Sequence, residues 1–220
     1  EGDMNWNLAF HPYPSPLTDP NFWNDNVTNS DSTKQVTMKN LSYLTNYVST
    51  HFRSDVRILL SEQGFTSVSY GTTNETLQAA AWAYAYYITE FNDKVDAFIM
   101  NRHVDHKQET SQGLYLGVWT NKKGNLEYAD KKKQIWNVFK YIDSAGSQKV
   151  SQFALKSIGI KSWSSVIPGF NWKKFSSMGS YTSGKGTGFK TVTKPKNITN
   201  SVKNGYNATV KKSGRKTTVK

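Results

Sequence analysis

The chain has 220 residues, 36% of them hydrophobic, a mean hydropathy of −0.65 and no cysteine. That length supports one domain with a real core. The lack of any apolar run near ~18 residues excludes a membrane-spanning helix, and the lack of cysteine excludes disulfides, thiol catalysis and cysteine-based zinc sites.

The net charge of +12 is unevenly divided: residues 1–143 carry 13 basic and 16 acidic side chains, residues 144–220 carry 15 basic and none acidic. The two parts are different kinds of polypeptide. The opening EGDMNWNLAF has neither the basic start nor the apolar stretch of a signal peptide, and a chain that opens on Glu is expected to be a processed form or a piece of a longer protein.

Trp6–Phe10 reads as a short buried strand that stops at His11-Pro-Tyr-Pro-Ser-Pro16, where three prolines forbid a helix or a central strand. A long polar loop to about Gln35 follows, of a length that is usually functional or disordered. Met38, Leu41, Leu44, Tyr47 and Val48 recur at helical spacing, predicting a helix over 37–52. Val56–Leu60 is a second strand, ending at Ser61-Glu62-Gln63-Gly64-Phe65. Thr73, Asn74 and Thr76 are candidate caps for a helix over 77–91, rich in Ala and Tyr and expected to be buried on more than one side. Val95–Met100 is a third strand, followed by Asn101-Arg-His-Val-Asp-His106. After Leu114–Trp119 come helices predicted over 130–143 and 148–158. Repeated strand–loop–helix order implies an α/β fold with a parallel sheet, whose ligands bind beyond the C-terminal strand ends. Residues 171–200 read as a linker. Residues 201–220 read as a truncated β-rich accessory module, with a hairpin over 208–219, or as a disordered basic tail.

Glu62 is the sharpest chemical signal. A carboxylate at the mouth of a buried strand suits the nucleophile of a glycosidase; it equally suits a cap for the next helix or an ion pair with Arg57. His11 and Tyr13 close the preceding strand and can bond a sugar hydroxyl or steady a carboxylate, or simply build a rigid loop. Arg102, His103, Asp105, His106 and Glu109 crowd the end of the third strand. They lack the spacing of a known zinc site, so sugar contacts or an internal ion-pair network are favoured and no metal or cofactor is expected. Trp23 and Trp119, with Phe22 and Phe65, are expected to flank the same mouth and meet the apolar faces of sugars.

The ordered motifs WNLAFHPYP, RILLSEQGF, DAFIMNRHVDH and LYLGVW resemble the C-terminal part of a clan-A glycosidase-like (β/α)8 barrel, closest to an uncharacterised bacterial family of domains of unknown function. The resemblance spans residues 1–170 and implies a partial TIM barrel, about strands 6–8 with their helices, followed by a basic Gly/Ser/Thr/Lys-rich tail. It implies Glu62 as the nucleophile, with His11, Tyr13, Trp23, Arg102, His103, Asp105 and Trp119 as substrate contacts. The acid/base Glu of such barrels follows an Asn at the end of strand four, which this chain lacks. A fragment of a secreted retaining glycoside hydrolase is therefore expected, inactive alone, because retention needs two carboxyl groups about 5–5.5 Å apart.

The alternative is a non-catalytic carbohydrate-binding or cell-surface protein on the same scaffold. A polysaccharide is the expected partner, outside the cell or at its wall. The basic tail suggests contact with an anionic cell-wall polymer; nucleic acid is disfavoured, because the stretch after Phe189 holds one aromatic residue, Tyr206.

Overall fold

The computed structural model describes residues 5–123 and 128–178 and, beyond them, the backbone of two short hairpins. In chain order its elements are β1 (Leu8–Phe10), α1 (Leu41–His51), β2 (Ile58–Gln63), β3 (Val68–Ser69), β4 (Thr72–Thr73), α2 (Glu75–Glu90), β5 (Val95–Met100) and α3 (Lys107–Thr110). There follow β6 (Trp119–Asn121), β7 (Ala129–Lys132), α4 (Ile135–Tyr141), α5 (Ser147–Ile158) and α6 (Lys173–Ser176). The later hairpins pair Tyr181–Thr182 with Lys185–Gly186, and Ala208–Lys212 with Arg215–Val219. Most of the linker and tail read over 171–220 otherwise lies outside the described residues.

β1, β2 and β5 form a parallel sheet in that order, as strand–helix alternation requires. Among the described residues the sheet is open, with β1 and β5 at its edges, so these strands form no closed barrel. One face carries Ile58, Leu60 and Phe98 toward α2, where Phe98 stacks on Trp82 with ring centroids 4.5 Å apart. α2 is buried nearly all round. Its alanines at 79, 80, 81, 83 and 85 let α4, α5 and the sheet approach closely, and Tyr87 donates its hydroxyl proton to Ser151 at 2.8 Å.

Local chemistry fixes the helix starts. Thr37 and Asn40 form a reciprocal capping box ahead of α1, satisfying backbone donors that the first turn leaves free. The Asn74 side chain accepts from Leu77 N at 2.9 Å and caps α2.

Two readings need correction. The helix predicted over 130–143 begins only at Ile135, because Ala129–Lys132 pairs antiparallel with β6. The first residues of the predicted linker are packed: Phe175 is buried on α6, and Trp172 and Met178 lie against the core. Phe175 joins Tyr87 and Phe170 in a cluster with ring centroids 5.1–6.3 Å apart.

Candidate functional site

The C-terminal ends of β1, β2 and β5 meet at Glu62. The pairing of β2 with β5 sets Leu60 opposite Phe98 and Gln63 opposite Met100, so Ser61 and Glu62 together oppose the single residue Ile99. This is a β-bulge, a device that re-aims a side chain. Leu60 and Gln63 stay fully buried on the helix side, while Ser61 and Glu62 are half-buried on the open face.

The prolines after β1 bring His11 and Tyr13 to the same place. His11 Nε2 lies 3.0 Å from Ser61 Oγ, and Tyr13 donates its phenolic proton to Glu62 Oε1 at 2.5 Å. Asn101, the first residue after β5, donates from Nδ2 to the same Oε1 at 3.1 Å and to the Tyr13 oxygen at 3.0 Å. Burial, then the bond to Glu62, raises the Tyr13 phenol far above its ordinary value, and the charge of Glu109 adds to the effect. Tyr13 is thus a fixed donor. Glu62 is held through one oxygen, and among the described residues Oε2 makes no hydrogen bond.

Neither structural alternative for Glu62 is realised: Arg57 pairs with Asp96 at 2.6 Å, and Asn74 caps the helix. Gly64, from the SEQGF motif, has a steric reason to be glycine. A Cβ there would stand 2.0 Å from the Asn101 carbonyl oxygen, so the β5 end can reach Glu62 only past a residue without a side chain.

The other expected residues divide. Arg102 donates to Glu109 at 2.6 Å, beside the cluster. His103 is exposed, and its ring lies 6.5 Å from that of Trp119. Asp105 is buried in an ion pair with Lys133 at 2.7 Å, and both line a cavity of about 720 Å³ together with Ser67 and Glu75. Burial pushes the Asp105 carboxyl up and the Lys133 ammonium down, and their mutual attraction opposes both shifts.

Phe22 and Phe65 are wholly buried and serve packing, whereas Trp23 is half-buried and rests against Phe22 and Tyr84 of α2. His106 precedes α3 without capping it. Among the described residues no group of three His, Cys, Asp or Glu side chains is placed to hold a metal ion. The sequence reading missed Asn101 as a site residue; its signal was its position directly after a strand, level with Glu62.

A family model matches residues 1–166, that of a family of unknown function, DUF5722. No curated protein and no solved structure matches the chain.

Proposed function

The chain belongs to the DUF5722 family, whose function is unknown, and from that premise we propose that it carries the nucleophile of a retaining polysaccharide hydrolase, with Glu62 as the attacking carboxylate. The observation behind the proposal is the one-sided anchoring of that carboxylate: Tyr13 and Asn101 hold Oε1, and Oε2 is left for an anomeric carbon. Fixing one oxygen orients the other, which is how a positioned nucleophile gains over one that must find its geometry. His11 and Ser61 border the carboxylate and suit a sugar hydroxyl.

The mechanism requires a second carboxyl group about 5–5.5 Å away as acid and base. In this reading residues outside the chain supply it, as the rest of a (β/α)8 barrel completed around the open sheet. Action outside the cell or at its wall, with the basic residues after Asp143 contacting an anionic wall polymer, belongs to the same proposal.

The test is the intact protein with Glu62→Gln, assayed for release of reducing sugar and for covalent labelling by a 2-deoxy-2-fluoroglycoside. Turnover and labelling at Glu62 are expected in the wild type and neither in the variant; undiminished turnover in the variant would remove the assignment.

One observation favours a non-catalytic carbohydrate-binding protein instead. Glu109, a carboxylate close enough to act on Tyr13, is tied to Arg102. On that reading the wild type binds sugar without turnover, and Glu62→Gln binds as well.

A further inference from the structure

The hairpin of β6 and β7 starts beside the candidate site, since His103 follows Asn101 by two residues and its ring approaches Trp119. From Trp119 outward, rings and ammonium groups alternate. Lys132 Nζ lies 5.3 Å from the Trp119 centroid and 3.7 Å from that of Trp136; Lys140 Nζ lies 4.9 Å from Trp136 and 5.1 Å from Tyr141. The residues of β7 are all exposed, as are Lys122 and Lys123 after β6. Among the described residues, Lys122, Lys123, Lys131 and Lys132 stand in no ion pair.

An ammonium seated on an indole is attracted by the ring quadrupole but keeps its own charge. It also covers the ring. Neither a neutral sugar nor a nucleobase can then lie flat on that face of Trp136, so a ligand here must engage the cation itself. Among the described residues the one arginine near the site, Arg102, is held by Glu109, leaving lysine point charges rather than guanidinium forks to do the recognition. A uronic acid fits this arrangement. Its carboxylate is attached directly to the sugar ring, so one unit can meet the Lys132 ammonium while its apolar carbons touch the ring edges.

We propose that the β6–β7 hairpin and the start of α4 bind a uronate-bearing polysaccharide and present it to the strand ends at Glu62. The second half of this statement rests on the hydrolase reading, whereas the binding surface does not.

The test uses the full chain carrying Glu62→Gln, titrated with a galacturonic acid oligomer and followed by tryptophan fluorescence and calorimetry. Adding Lys132→Gln should weaken binding about tenfold and remove most of the fluorescence change, the effect of losing one charge-assisted contact. Lys156→Gln with Lys161→Gln removes twice the charge, from exposed positions on α5 and just after it rather than from the hairpin or α4, and should change affinity less than about twofold at physiological salt, where exposed charges beyond the binding surface are screened. Equal losses in both variants would overturn the proposal. So would comparable binding of a neutral xylose oligomer, or tighter binding of dextran sulfate or oligothymidylate. The two proposals fail separately: uronate binding lost with Lys132 supports the surface even where wild-type Glu62 proves to have no turnover.

Discussion

Replacing Gly64 with Ala tests the central geometry of the site. The added Cβ meets the Asn101 carbonyl oxygen at 2.0 Å and its carbon at 3.2 Å, both backbone atoms. Asn101 cannot swing aside freely, because its N–H is bonded to Gln63 O at 2.7 Å and its side chain to Glu62. Forced shifts of this kind cost about 1–3 kcal/mol. Alanine recovers about 0.4–1 kcal/mol by restricting the unfolded chain. A net destabilisation of about 1–2 kcal/mol is expected, and each kcal/mol lowers Tm by roughly 2–4 °C for a chain of this size. Urea melts of variant and wild type, with an unchanged dependence on denaturant, measure the first part. The second readout is the proton shared by Tyr13 and Glu62, whose NMR resonance should move as Asn101 is pushed away. A variant as stable as the wild type would refute the close approach. Lost stability with an unmoved resonance would refute the claim that Gly64 seats Asn101 against the carboxylate.

Three other outcomes follow from the same structure. Lys133→Met strands the buried Asp105 carboxylate and should cost about 3–5 kcal/mol in denaturant melts, with most of it regained when Asp105→Leu is added. Burial raises the Tyr87 phenol to about 12, with the bonds to Ser147 and Ser151 partly opposing. Because this folded value lies above the ordinary 10.0, its stabilising contribution is complete below that pH and disappears as pH climbs through about 12; tyrosinate absorbance and folding followed together should show the loss, and ionisation at the ordinary value in a still-folded chain would contradict it. Phe175→Ala should cost about 3–5 kcal/mol, whereas a residue in a true linker would cost almost nothing.

The parallel sheet was legible because its strands are short apolar runs separated by helical periods, a pattern only strand–helix alternation explains. Glu62, His11 and Tyr13 were legible because strand ends converge in such folds, so residues distant in sequence share a rim. What escaped was decided by contacts across long separations. An internal ion pair was open to Asp105, but its partner, Lys133, lies 28 residues on and no local pattern announces it. β7 has no buried residue and no apolar alternation; pairing with β6 alone makes it a strand, and its run of lysines imitates the polar start of a helix. Phe175 is a lone aromatic in a stretch of serines and lysines, and its burial depends on a groove built by residues 84–91 and 163–172.

The surplus residue in β2 has a consequence for how this chain tolerates change. Were the ladder ironed out to regular alternation with Ser61 kept, position and chemistry would part company: the acid would rotate inward toward α2, and the glutamine beside it would take the place on the rim. A one-residue slip in pairing would thus exchange an acid for an amide at the same spot while every residue of the strand survived. Changes that flatten this bulge should therefore cost the reactive group before they cost the fold.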